Sequence, residues 1–223
     1  MRLFPILFAA ALLSLAAANA GAAVVAQDAE AHYQALLAAA KANAPNVDWA
    51  ELRLAYAARP GFQVISQSAA RTQMLQAANA SDCKNALPSA RAVLAEDYVD
   101  ADAHMVAAFC EDAAGDGAAS KLDRDIGVGL IRSIETGDGL SAASAFTPIT
   151  VDEEYALMRA LGQKVQSQDL VRQGGHAYDL LSTLDEKGQR GAYWFVIDRV
   201  LAAESAALTP GAVSEGGPPS RTP

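Results

Sequence analysis

Through roughly the first 135 positions apolar residues recur at helical spacing; beyond them the runs shorten and begin to alternate. The pattern predicts helices first and a small sheet afterwards. Gln27 to Ala44 carries alanines and leucines at helical spacing, and Pro45 ends the run. Asn46 or Asp48 can cap a second helix, Trp49 to Arg59, in which Trp49, Leu52, Ala55 and Tyr56 share a face before Pro60-Gly61. That aromatic stripe reads as core, with Arg53 reaching to water from its edge. Ser68 to Ala78 is a third helix. An alanine-rich hairpin follows, with a first arm from near Ala86, a polar break at Glu96 to Asp102 and a second arm from Ala101 to Ala113. Pro88 fits the first turn of a helix that starts near Ala86 and would otherwise kink it. Gly115-Asp116-Gly117 ends the hairpin, and Ala118 to Glu135 sets Leu122, Ile126, Leu130 and Ile131 along one side.

From Thr136 to Ser144 glycine and serine cluster into a loop, and Phe146 to Val151 reads as extended. Asp152 is expected to cap a short helix, Glu153 to Leu161, which Gly162 ends. Lys164 to Val171 is a candidate strand. Tyr178 to Leu184 and Ala192 to Asp198 are β-prone runs joined by a loop with a hairpin signature. In the last run Tyr193, Phe195 and Ile197 face one way and Trp194, Val196 and Asp198 the other. Val200 to Leu208 can be helical. The expected fold class is α+β: antiparallel helical hairpins packed on a small C-terminal antiparallel sheet. The expected organisation is a single module over residues 27–208, with a helical part at 27–135 and an α/β part at 145–204.

The ends are set apart by composition. Arg2 followed by the apolar stretch Leu3 to Ala17 and the small-x-small triplet Ala18-Asn19-Ala20 predicts a signal peptide over residues 1–20, with a second possible cut after Ala26. Thr209 to Pro223 holds four of the nine prolines together with Gly211, Gly216 and Gly217, and reads as a disordered tail. No later stretch is apolar for long enough to span a bilayer. Loss of residues 1–20 removes one cation and moves the net charge from −9 to −10. So acidic a chain is repelled by phosphate backbones, which argues against nucleic acid as a partner. Export also gives the two cysteines meaning. Cys83 precedes one arm of the hairpin and Cys110 lies near the end of the other, neighbouring places in an antiparallel helix pair, so a disulfide is expected. A redox role is disfavoured by the 26 residues between them.

Signatures of chemistry are sparse. The three histidines, His32, His104 and His176, lie in separate segments and form no ligand pair, so no metal site is expected. No Gly-x-Ser-x-Gly elbow and no phosphate-cradling glycine loop is present, and no cofactor is expected. Asp123, Asp125 and Asp138 lack the oxygen ladder of a calcium loop, and the first two read as a solvated helix face. Asp152-Glu153-Glu154 could supply paired carboxylates but equally suits the positive end of a helix. On a strand His176 and Asp179 would point to opposite faces.

Ala86-Leu87, Ala103, Ala107, Cys110, Gly115-Asp116 and Ala119 resemble one tetratricopeptide-like repeat passing into the next, although the marker aromatics are missing. A second resemblance covers nearly the whole chain. Leu52-Arg53-Leu54-Ala55-Tyr56, the Cys83–Cys110 hairpin, Glu135-Thr-Gly-Asp-Gly139, Ala145-Phe146, Glu153-Glu154-Tyr155, Leu161-Gly162, Gln168-Asp-Leu170 and Tyr178-Asp179 resemble an exported bacterial family described as domain of unknown function family 4919. That resemblance implies one continuous module with no established activity, and it assigns no catalytic residue. Two functional classes follow. One is a non-catalytic interaction or ligand-binding module of the cell envelope, acting on an unidentified protein, peptide or small molecule. The other is a periplasmic hydrolase built on acids near Asp138 and Asp152. For the first, the expected ligand-binding residues are Asp138, Tyr155, Gln168 and Asp179, gathered where the Thr136–Ser144 loop meets the sheet. Gly137 and Gly139 there would either admit a ligand to the backbone or simply end a helix.

Overall fold

The computed structural model describes residues 9–65 and 68–208. The first eight residues of the expected signal peptide and the expected tail at 209–223 lie outside them. The chain divides into two compact units, Met1–Phe62 and Gln63–Pro223. The first holds helices α1 (Ala9–Lys41) and α2 (Trp49–Ala57). Of the two candidate caps it is Asp48 whose side chain accepts from the Glu51 N–H. The rings of Tyr33, Tyr56 and Phe62 pack in sequence, the first pair tilted and the second edge-to-face, with centroids 5.6 Å apart at each step. The Arg59 guanidinium lies 4.5 Å from the Tyr33 centroid and donates to Glu30 at 2.7 Å. Arg53 corrects an expectation. It is only 2 % exposed, because it lies beside Leu52 in the buried stripe of α2 and not at its edge.

The second unit begins with four consecutive helices, α3 (Ala69–Asn79), α4 (Cys83–Glu96), α5 (Ala101–Ala113) and α6 (Gly117–Ile134). Asp82, Asp100 and Asp116 stand immediately before the last three, and each accepts from the N–H three residues on. Small side chains let these helices approach closely. Ala90, Ala103 and Ala107 are buried with Met74, Val93 and Leu94 in one cluster. The expected bridge is present: Cys83 and Cys110 are joined, with Cα atoms 5.1 Å apart. Helix α4 starts at Cys83, three residues earlier than expected, so Pro88 sits in the second turn and deprives the Lys84 carbonyl of its helical donor.

Asp123 also departs from its expected place. Far from lining a solvated face, it is 4 % exposed and joins three helices. Its carboxylate meets His104 Nδ1 of α5 at 2.6 Å and accepts from Arg91 Nη2 of α4 at 2.8 Å. The other His104 nitrogen lies 2.9 Å from the Tyr98 carbonyl, and Glu111 of α5 pairs with Arg91. Burial opposes the Asp123 charge, yet the bonds from His104 and Arg91 outweigh it and hold the carboxyl below the usual range.

Beyond α6 a loop with one 3-10 turn, Ala142–Ser144, returns to the sheet. Helix α7 (Val151–Ala160) is followed by strands β1 (Lys164–Gln173), β2 (His176–Leu184) and β3 (Arg190–Val196), and α8 (Asp198–Leu208) closes the unit. The sheet is antiparallel in the order β1-β2-β3. Its register sets Asp179 opposite both Leu170 and Phe195, and Leu181 opposite Gln168 and Tyr193. Ala177, Asp179, Leu181 and Thr183 alternate along β2 and are all buried, so this face is sealed. The 136–144 loop docks on the outer edge of β3: Trp194 N donates to the Gly139 carbonyl at 2.7 Å, and Phe146 exchanges bonds with Trp194 and Val196 at 2.9 Å. Gly139 has φ +70°, and a Cβ there would lie 2.2 Å from the Phe146 ring; one at Gly137 would lie 2.3 Å from the Ser144 carbonyl oxygen. The space beside both glycines is filled by the protein's own chain, and the cap of α6 is Glu135.

Two outcomes are expected. Replacing both Cys83 and Cys110 by serine should lower the unfolding free energy by about 3–4 kcal/mol in denaturant melts of oxidised protein, since the bridge closes a loop of nearly 30 residues. Gly139→Ala should cost about 2–4 kcal/mol, from left-handed strain together with overpacking against Phe146.

Candidate functional site

Helix α7 and the sheet bring three of the four expected ligand-binding residues into one hydrogen-bonded chain. Tyr155 lies on α7, Gln168 on β1 and Asp179 on β2, and Gln168 and Asp179 share a sheet face by register. The Tyr155 hydroxyl donates to Gln168 Oε1 at 2.9 Å, and the Gln168 amide donates to Asp179 Oδ2 at 2.5 Å. The chain runs inward, from exposed Gln168 and half-buried Tyr155 to Asp179 at 7 % exposure. Asp138 does not join it. That exposed carboxylate accepts from the Leu140 N–H at 2.9 Å and the Ser144 hydroxyl at 2.5 Å, an Asx-type turn within its own loop. The bond from Ser144, then that from Leu140, holds its pKa below the usual range.

At the inner end stands a residue the expected set lacked. Glu154 is fully buried, its carboxyl oxygens meet no basic side chain, and its polar neighbour is the Asp179 carboxyl. Burial, then the neighbouring Asp179 charge, pushes its pKa up to about 9, so at neutral pH it keeps its proton. Asp179 is raised as well, chiefly by burial. Gln168 and Glu154 pull it back and Glu204 of α8 pushes it up. Of the two it is Glu154 that keeps its proton at neutral pH, and the Gln168 amide favours the charged form of Asp179. The periodicity of α7 carries a signal for Glu154. It precedes Leu157 and Met158 by three and four positions, on the stripe that those two side chains bury completely.

The other two acids of the triplet have structural work. The cap of α7 is Thr150, not Asp152: the Thr150 hydroxyl accepts from Glu153 N, and Glu153 Oε2 accepts from Ile149 N at 2.7 Å, a variant of the capping box. Asp152 pairs with Arg71 of α3 at 3.0 Å. Arg71 also meets Asp100 at 2.8 Å and Asp102 at 2.7 Å, and Asp102 in turn accepts from Arg159 Nε at 3.0 Å. Burial opposes the Arg71 charge, but Asp100, Asp152 and Asp102 outweigh it and hold the guanidinium pKa above its ordinary value. A small cleft of about 30 Å³ opens here, lined by Arg71, Asp100, Asp102, Asp152, Glu153 and Ile149 among others. None of the four expected ligand-binding residues lines it. His176 pairs with Asp198 at 2.5 Å and stays apart from Asp179. Among the described residues no group of three or more His, Cys, Asp or Glu side chains is placed to hold a metal ion. No helix among them is long and apolar enough to cross a membrane.

A family model described as a domain of unknown function, DUF4919, matches residues 20–206. The chain belongs to this family. No curated protein and no solved structure matches it.

The sign of the Glu154 shift sets a pH dependence. Its folded pKa lies above the unfolded value of 4.5, so the protonated carboxyl's stabilisation is fully present below about pH 4.5 and is lost as pH rises through about 9. Across that window Glu154 should tilt stability downward by up to about 1.4 kcal/mol per pH unit. Glu154→Gln, which keeps the shape and removes the titration, should flatten the decline in melting temperature between about pH 5 and pH 9. An unchanged slope in the variant would place Glu154 in solvent.

Proposed function

We propose that this member of the DUF4919 family is an exported, non-catalytic ligand-binding module whose site is the Tyr155–Gln168–Asp179 chain backed by Glu154. The observation that carries the reading is the hydrogen-bonded chain from Tyr155 through the exposed Gln168 amide to Asp179, which neighbours the buried, proton-bearing Glu154 carboxyl. A buried carboxyl whose polar neighbour is a second carboxyl, with no basic side chain beside it, costs free energy, so folding alone gives no reason for Glu154. The exported location draws on the Leu3–Ala17 apolar stretch, the Ala18-Asn19-Ala20 triplet and a disulfide of the kind that persists in oxidising compartments.

The chemistry of the outer groups selects the ligand. The Tyr155 hydroxyl donates inward and keeps lone pairs to accept; the Gln168 amide gives one N–H to Asp179 and keeps another to donate. A neutral molecule offering both a donor and an acceptor, such as an amide or a polyol, matches that pair. Asp138 stands apart from that pair, on the loop docked at the β3 edge of the sheet, opposite the β1 edge that carries Gln168. In an NMR screen of small amides and polyols, Tyr155→Phe and Gln168→Ala should each weaken a hit by about tenfold, the worth of one hydrogen bond of about 1.4 kcal/mol. Asp138→Ala should have the smaller effect. Melting temperatures should barely move in Tyr155→Phe, and a large drop there would return the hydroxyl to a purely structural role.

A second reading, hydrolysis by paired carboxyls, draws on Glu154 and Asp179 alone. One protonated and one ionised carboxyl is the arrangement that general acid–base chemistry uses. Both are buried, however, so a substrate would first have to open the contact between α7 and the sheet. Loss of a hydrolytic activity in Glu154→Gln, with binding retained, would favour this reading over the first.

A further inference from the structure

We propose that the chain forms a homodimer by antiparallel pairing of strand β1 with β1 of a second copy, with Leu170 on the two-fold axis. The sheet has two edges. The β3 edge is occupied, since Gly139 and Phe146 take the backbone groups of Trp194 and Val196. On the β1 edge the Gln166 amide donates to the Lys164 and Val165 carbonyls at 3.1 and 3.3 Å, but beyond them, over Ser167–Gln173, no bond described covers the outer edge, and the ten residues of the strand are mostly exposed. It contains no proline. A strand edge presents alternating N–H and C=O groups outward and is a template for another strand. Natural edges are usually blunted by bulges and charges; here Lys164 and a bulge between Val165 and Ser167 sit at one end, and Asp169 and Arg172 are the charges within the regular stretch. Past the bulge the ladder is regular over Ser167–Gln173. The midpoint of that stretch is Leu170, a large apolar side chain left 56 % exposed.

Symmetry narrows the register. Side chains alternate between faces, so a two-fold axis normal to the sheet must pair residues of like parity. Centring on Leu170 pairs the whole regular stretch: Leu170 meets its copy, Asp169 faces Val171, Gln168 faces Arg172 and Ser167 faces Gln173. No like charges meet. Centring on Asp169 would set that carboxylate against its own copy, which is destabilising. Centring on Val171 would leave Ser167 and Gln168 unpaired and set Arg172 against Leu170. The charge pattern and the position of the exposed leucine therefore favour the same pairing, and a second copy satisfies it without any separate partner. The inference stands on backbone edge and register, independent of the ligand-binding reading.

Sedimentation velocity of the disulfide-intact chain, from micromolar to submillimolar concentration at about 0.15 M salt, tests it under screening of the acidic charge. A reversible dimer is expected, and Leu170→Lys should raise its Kd at least tenfold while leaving the circular dichroism spectrum unchanged. L170C should give a disulfide-linked dimer on mild oxidation. Opposed Cα atoms in antiparallel strands lie about 4.5–5.5 Å apart, within bridging range. D169C, opposite Val171 in this register, should link far less. A chain that stays monomeric throughout overturns the proposal, as does a dimer in which L170C fails to link or links no better than D169C.

Discussion

Helix α7 meets the sheet through a pair of carboxyl groups, and the rest of this region is arranged to make that contact tolerable. Two ionised carboxylates with no solvent between them would repel strongly, so one must keep its proton. Burial is complete at Glu154 and less so at Asp179, which also has the Gln168 amide, so the proton stays on Glu154. The cost is held in place from both sides. Leu157 and Met158 bury the same stripe of α7, while Phe195 lies opposite Asp179 across the sheet. The N-terminus of α7 is fixed by Thr150 and Glu153, and Asp152 ties it to Arg71. Three adjacent acids thus do three different things: Asp152 pairs with a cation, Glu153 caps, and Glu154 stays neutral in the interior.

The same use of acids inside the fold recurs in the helices. Arg71 gathers carboxylates from the starts of α5 and α7, and Arg91 gathers Glu111 and Asp123 while Asp123 holds His104. Alanine-rich helices bury little surface per residue, so directional pairs between neighbours add the specificity that such small side chains cannot supply by shape. A chain of net charge −9 therefore does not spend all its acids on solubility. Removing Arg91 or His104 from the node would leave the buried Asp123 carboxylate short of a partner, which costs more than the node contributes when intact.

Much of this was legible in the sequence. Helical periodicity located α2 to α6 within a few residues, because their apolar positions recur at that spacing and capping or turn residues such as Asp48, Asp82, Asp100, Gly115 and Asp116 bound them. The disulfide followed from the places of Cys83 and Cys110 in the hairpin, and the α+β order from the change of texture after Thr136. Tyr155, Gln168 and Asp179 are polar positions of the sequence that α7 and its return strand join. What stayed hidden has physical reasons. Glu154 was read by its charge, as a favourable group at a helix start, when its spacing to Leu157 and Met158 placed it inside. Asp123 and Arg53 were misplaced in the same way, since a charged side chain looks like surface until its partners on distant helices are known. The Thr-x-x-Glu pattern at Thr150 to Glu153 carries the cap of α7, two residues ahead of Asp152. Asp138 drew attention through its glycines, whose space the protein itself occupies with Ser144 and Phe146.

The account depends most on Glu154 keeping its proton in the folded state. Carbon-13 NMR of the side-chain carboxyls, followed from pH 4 to pH 10, reads that proton directly. The Glu154 signal should hold the chemical shift of a protonated acid through neutral pH and move only as pH approaches about 9. A signal that titrates near 4.5, alongside the surface glutamates, would contradict the account: Glu154 would be ionised beside Asp179, and the contact between α7 and the sheet would need another explanation.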